Sequence, residues 1–141
     1  PHGMVQLSPD TRLLGWDACS GYYYDDTSIM GFTHTHLSGT GIGDYGDILF
    51  MPVVGEKPLI AGTAENPDEG YRSRFSHEQE SARPGYYQVL LQDDSINVEL
   101  TATLRAGLHR YTYPKASDAD CGYGTYHSWS SASCYSDSCG K

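Results

Sequence analysis

The clearest pattern of apolar and polar positions lies between residues 86 and 113. Tyr87, Val89 and Leu91 alternate with Gln88, Leu90 and Gln92. Asp93-Asp94-Ser95 follows and supplies turn chemistry. Ile96, Val98, Leu100, Ala102 and Leu104 then alternate with Asn97, Glu99, Thr101 and Thr103. A strict period of two over nine residues turns one apolar face inward and one polar face outward. Ala106-Gly107 turns the chain again, and residues 108–113 read as a third strand. Together these stretches predict an antiparallel meander, the building block of a β-sandwich.

The pattern is weaker elsewhere. Residues 46–54 predict a strand, with Pro52 marking its edge or end. Residues 55–85 are polar and hold Pro58, Pro67 and Pro84, so they read as connections with a short strand around residues 74–77. Residues 1–47 are broken by Gly3, Gly15, Gly21, Gly31, Gly39, Gly41, Gly43 and Gly46 into loops between short strands. Gly39-Thr40-Gly41-Ile42-Gly43 has no apolar strand before it and no helix after it, so it is a poor phosphate loop. The longest apolar run, residues 48–51, is far too short to span a bilayer, and no signal peptide opens the sequence.

Composition changes this picture in one respect. Leu, Ile, Val and Phe total 24 of 141 residues, about 17%, which is thin for a self-sufficient core. Twelve Tyr and two Trp argue against disorder. With an opening Pro1-His2-Gly3-Met4 that has no initiator Met, this predicts part of a larger folded unit. The net charge of -9 repels phosphate, which argues against nucleic acid and anionic membrane as partners.

After Leu108 there is no Leu, Ile, Val, Met or Phe. Residues 120–141 hold Cys121, Cys134, Cys139 and six Ser instead, and on that composition no further sandwich strand is expected. Three readings stand: a reading-frame slip or misjoined end, a disulfide-tied tail that includes Cys19, or a metal site. The abrupt loss of aliphatics favours the first. Cys134-x4-Cys139 is not the tight spacing of a zinc ribbon.

Three groups of residues carry candidate chemistry. In Gly15-Trp16-Asp17-Ala18-Cys19-Ser20-Gly21-Tyr22, an indole can cover the C–H face of a pyranose while a carboxylate accepts from its hydroxyls. Equally, Trp16 can fill a core gap beside a turn-forming Asp17, and loop composition alone favours this because buried Trp is common. In Phe32-Thr33-His34-Thr35-His36, a strand would point both His to one face, where Asp44 or Asp47 could complete a metal set. The alternative is two His making structural hydrogen bonds near a turn. Among Asp44, Asp47, Glu78, Glu80 and Glu99, no spacing singles out an acid–base pair, and solvated faces or turns explain most of them.

Several blocks in order carry a resemblance. Gly3-Met4-Val5-Gln6-Leu7-Ser8-Pro9-Asp10-Thr11, the Gly15–Tyr22 block, Gly31-Phe32-Thr33-His34-Thr35-His36-Leu37-Ser38-Gly39-Thr40-Gly41 and Asp44-Tyr45-Gly46-Asp47-Ile48-Leu49 closely resemble the N-terminal region of glycoside hydrolase family 92, the α-mannosidases. Pro84-Gly85-Tyr86-Tyr87, Val98-Glu99-Leu100-Thr101-Ala102-Thr103 and His109-Arg110-Tyr111 are similar to it as well. The resemblance stops near residue 118, which divides the chain into a domain fragment, 1–118, and an unmatched tail, 119–141.

The resemblance implies an all-β fold: a partial antiparallel β-sandwich of the supersandwich, galactose-mutarotase-like kind, with an irregular C-terminal tail. It implies a calcium-dependent, exo-acting, inverting α-mannosidase with mannose-containing glycans as substrates. Its catalytic Glu and Asp would lie in a C-terminal (α/α)6 barrel that this sequence does not include, so no catalytic residue is assigned here. It implies a secreted, periplasmic or cell-surface location. His2 departs from the family's usual aromatic before Gly3. The resemblance makes Trp16 and Asp17 the leading substrate contacts, and adds Gly3, Ser20, His34 and His36 as substrate-binding candidates. It does not make the His metal ligands, because calcium prefers oxygen donors, and the calcium ligands are expected outside this fragment. Rival readings are a non-catalytic carbohydrate-binding β-sandwich and a small cystine-bridged module.

Overall fold

A computed structural model describes residues 3–12, 20–36 and 46–115, together with the backbone of Gly124–Thr125. Its strands are β1 (Ser8–Asp10), β2 (Ser28–Ile29), β3 (Gly31–Thr33), β4 (Pro52–Val53), β5 (Ser73–Arg74), β6 (Glu80–Arg83), β7 (Tyr86–Leu91), β8 (Ile96–Ala102), β9 (Gly107–Thr112) and β10 (Gly124–Thr125). Two short 3-10 turns, Pro67–Glu69 and His77–Gln79, are the only helical elements among the described residues.

The meander read from the sequence forms β7, β8 and β9, with β6 added at its edge. The alternation sets the register. Val89 faces Val98, Leu91 faces Ile96 and Tyr87 faces Leu100 across β7 and β8. All of these are buried except Tyr87, which is half-buried. The same pleat puts Gln88 opposite Glu99 on the outer face, where Arg110 of β9 pairs with Glu99. Cross-strand pairs of this kind are the unit of sheet stabilisation. Thr103 closes the β8–β9 turn by accepting from the amides of Arg105 and Ala106. Pro84-Gly85 closes β6 onto β7, Pro presetting its own φ and Gly85 supplying φ +77°.

Three antiparallel pairs accompany this sheet: β1 with β3, β2 with β5, and β4 with β10. Ile29, Phe32, Met51, Val53 and Phe75 from these parts join Val89, Leu91, Ile96, Val98 and Leu100 in one buried cluster. The architecture is all-β and antiparallel, in keeping with the partial β-sandwich expected.

Several local expectations change. Residues 46–54 do not run as one strand, because Gly46 and Ile48 both take positive φ, +69° and +59°. Only Phe50, bridged to Phe32, and Pro52–Val53 pair. Pro52 opens β4 rather than ending it. Strand β5 covers Ser73–Arg74, and His77 starts a 3-10 turn. Leu104 and Leu108 are exposed, since Leu104 sits in the turn and Leu108 on the outer face of β9. Tail residues Gly124–Thr125 pair with β4, against the expectation that the tail adds no strand. Backbone hydrogen bonding needs no aliphatic side chain, so composition could not exclude it.

Candidate functional site

The β1–β3 pairing brings together residues far apart in sequence. Ser8 lies opposite Thr33 and Asp10 opposite Gly31. Just beyond β3, His36 turns back onto this pair. Its Nδ1 donates to the Gln6 carbonyl at 2.8 Å, and its Nε2 lies 2.7 Å from Asp10 Oδ1 and 2.7 Å from Thr33 Oγ1. Both ring nitrogens face acceptors, so the geometry suits an imidazolium beside a carboxylate. Burial works against that charge, but the hydrogen bond and charge of Asp10, with the Gln6 carbonyl, outweigh it and hold His36 above its ordinary pKa.

A second group gathers on the other side of Gln6, whose amide donates to the His34 carbonyl. His34 Nδ1 donates to the Ile48 carbonyl at 3.1 Å. His34 Nε2 lies 3.1 Å from His109 Nε2. His109 in turn accepts at Nδ1 from Tyr111 Oη at 2.8 Å. Contacts therefore run in line from Tyr111 through His109 and His34 to the Ile48 carbonyl. Burial, with His34 close by, pushes His109 down to about 4. Phe50 closes the group, its ring 5.2 Å from both imidazoles.

The third group centres on Glu80. It accepts from Tyr22 Oη at 3.0 Å, Tyr87 Oη at 2.6 Å and His77 Nδ1 at 2.6 Å. His77 Nε2 donates to the Tyr24 carbonyl, and the two rings stack at 4.1 Å. This clasp ties residues 22–24 to β6 and β7. Nearby, Arg12 grips Asp26 with two guanidinium nitrogens. Buried Arg72 donates to Ser28 Oγ and the Thr11 carbonyl.

With this geometry in view, the comparisons with known proteins decide the family. Residues 1–138 match the glycosyl hydrolase family 92 N-terminal domain. The chain belongs to glycosyl hydrolase family 92. Its family 92 relatives include an α-mannosidase of Bacteroides thetaiotaomicron, 52% identical with a TM-score of 0.79 over 82% of this chain. A family 92 inverting mannosidase of the same species is 31% identical, with a TM-score of 0.62 over 80% of the chain. An uncharacterized secreted glycosidase of Arthroderma benhamiae is 28% identical over 123 residues, 81% of the chain. The chain spans only 14% to 16% of the length of these relatives.

In this family 92 chain the candidate residues fall in different places. Ser20 is exposed on a turn, immediately before Gly21. Gly3 is half-buried beside the β8–β9 turn, where a Cβ would sit 3.6 Å from the Leu104 carbonyl oxygen. His34 and His36 are not on a strand, since β3 ends at Thr33, and they enter separate groups rather than one. Trp16, Asp17 and Asp44 lie outside the described residues. The sequence names Glu80 only within an acidic set with no partner singled out, and does not mark Asp10 as a site residue. An Asp beside Pro in a glycine-rich stretch reads as a turn residue. Only the long-range pairing of β1 with β3 sets Asp10 against His36.

The described residues do not fit a calcium ion. No three His, Cys, Asp or Glu side chains among them converge on a metal position. The buried or nearly buried carboxylates Asp10, Asp26, Asp94 and Glu80 face His36, Arg12, Lys57, and two tyrosines with His77, respectively.

The three histidine settings give a pH dependence. His109 stays neutral in the fold down to about 4, while an unfolded His protonates near 6.5. Its stabilisation is present above 6.5 and is lost as pH falls from there towards 4. His36 and His77 are raised, His77 chiefly by its hydrogen bond to Glu80. Their stabilisation is full below 6.5 and is lost as pH rises through their folded values. The urea midpoint is therefore expected to peak near neutrality. His109→Gln should flatten the limb between pH 6.5 and 4 and His36→Gln the alkaline limb; unchanged limbs would refute these assignments.

Proposed function

We propose that this family 92 domain is the N-terminal β-sandwich of an exo-acting α-mannosidase that removes terminal mannose from α-mannosides with inversion. The 52% identity to the Bacteroides α-mannosidase over 82% of the chain is the observation that carries this reading. The inverting mannosidase among the relatives supports the stereochemistry. In such a reaction an acid protonates the glycosidic oxygen while a base activates water on the opposite face, the carboxyls being roughly 6.5–9.5 Å apart. Both carboxyls, and the oxygen ligands of calcium, belong in this proposal to a C-terminal (α/α)6 partner beyond this chain. Chelation should abolish mannose release by the longer enzyme and added calcium restore it. Activity unaffected by chelation would remove calcium from the proposal.

This domain's own part is to bind and orient the terminal sugar. Trp16 would cover the C–H face of the mannose ring, while Asp17 and Ser20 would hydrogen-bond its hydroxyls. Gly3 and His34 would shape the surrounding surface. In the longer enzyme, Trp16→Ala should cost about 1–3 kcal/mol of transition-state binding, read from kcat/KM on a mannobiose. Trp129→Ala should cost less. An unchanged kcat/KM for Trp16→Ala would make Trp16 a core residue.

A secreted, periplasmic or cell-surface location is part of the same proposal, supported by the relative named a secreted glycosidase. Recovery of the longer enzyme only from cytoplasm would count against it. Among the described residues no helix is long and apolar enough to cross a membrane.

A further inference from the structure

We propose that Asp10 and His36 are positioning residues that hold the Ser20–Gly21 turn where Ser20 meets a mannose hydroxyl. This rests on the reading of Ser20 as a sugar contact given above. Neither residue touches the sugar: their side chains are 1% and 7% exposed. They act through Gly21. That residue sits at φ +88°, and a Cβ built on it would fall 1.9 Å from Asp10 Oδ1 and 3.1 Å from His36 Nε2. The backbone of the turn thus lies directly on the ion pair, with no room for a side chain between them.

The turn is pinned from the other side as well. The Gly21 carbonyl accepts from the Thr11 amide at 2.7 Å and the Arg12 amide at 3.2 Å. Thr11 Oγ1 accepts from the Tyr23 amide at 2.9 Å. The residue next to Gly21 is exposed Ser20, so its place on the surface is set by whatever fixes Gly21.

Stability alone does not explain the pair. Asp10 Oδ2 is buried with no hydrogen-bond partner among the described residues. An ion pair kept dry with one oxygen unpaired is a poor stabiliser compared with apolar side chains of the same volume. What the pair does provide is a fixed anionic oxygen. His36 holds Oδ1 from one side, and His36 is itself held by the Gln6 carbonyl and Thr33 Oγ1. Gly21 rests against that same oxygen and beside His36 Nε2. Gly21 is thus the small residue that such contact demands.

The test is a double-mutant cycle in the longer enzyme, with 4-nitrophenyl α-mannoside as the probe. Ser20→Ala is expected to raise KM roughly three- to tenfold with kcat within about twofold, the pattern of a lost uniform contact. Asp10→Asn is expected to raise KM by a similar factor. The double variant is expected to raise it no further, because both changes remove one contact. A purely structural role would instead lower the active fraction, and so kcat, with KM unchanged. If Asp10→Asn yields no folded enzyme, His36→Gln takes its place in the same cycle. Should Ser20→Ala raise KM while Asp10→Asn and His36→Gln leave it alone, the positioning role is overturned and the sugar contact stands. Additive effects in the cycle would overturn it too. Should Ser20→Ala leave KM unchanged, the sugar contact fails and the positioning role goes with it.

Discussion

The 141-residue chain alone is expected to release no measurable mannose from an α-mannoside that the longer enzyme hydrolyses. The reason is chemical. Inverting hydrolysis needs a protonated acid and an ionised base flanking one glycosidic bond. The ion-paired carboxylates among the described residues are committed elsewhere: Asp10 to His36, Asp26 to Arg12, Asp68 and Asp93 to Arg74, Asp94 to Lys57, Glu80 to Tyr22, Tyr87 and His77, and Glu99 to Arg110 and Tyr86. Glu99 is held below its usual range by Arg110 first and Tyr86 second, the wrong direction for a general acid. Losing general acid–base catalysis by itself costs about 100- to 10,000-fold. The check is to assay equal amounts of this chain and of the longer enzyme on the same substrate. Comparable rates would place the acid and base within these 141 residues and end the proposal that they lie beyond it.

The second large effect concerns stability. Asp10→Ala is expected to destabilise this chain by about 3–5 kcal/mol near pH 6. It leaves the His36 imidazolium buried without a counter-ion and opens a gap under Gly21. The loss should shrink as pH rises through the folded pKa of His36, because the stabilisation from its raised pKa is present only below that point. Glu99→Ala breaks a pair whose Arg110 side chain is 72% exposed, and should cost about 1 kcal/mol or less. Urea midpoints at pH 6 and pH 9, with m-values compared, separate the two cases. An Asp10→Ala chain as stable as the parent at pH 6 would show that His36 is neutral in the fold.

How much of this was legible depends on the range of the interaction concerned. The period-two alternation of residues 86–104 is local, and it gave β7 and β8 and their buried faces directly. The β6 strand was missed because Glu80-Ser81-Ala82-Arg83 lies at a sheet edge with little apolar content, and only Pro84-Gly85 marked its turn. The break at Ile48 was not visible, because a β-branched residue at positive φ contradicts its own propensity. Of the two readings of His34 and His36, one face of a strand or structural hydrogen bonds near a turn, the second holds. Strand β3 stops before them, and each is captured by partners 26 to 75 residues away. The hub at Glu80 was equally hidden, since Tyr22 reaches it across 58 residues. What sequence did supply for function came from ordered motif blocks rather than from any spacing of acids or metal ligands.

The central proposal is tested most directly by expressing the whole polypeptide that contains this domain and following its action on an α-mannoside by proton NMR. The expected result is release of terminal mannose that appears first as the β-anomer and then mutarotates. Appearance of the α-anomer first would contradict inversion. Binding of mannose-containing glycans with no hydrolysis would contradict the enzyme itself and leave a carbohydrate-binding β-sandwich in its place.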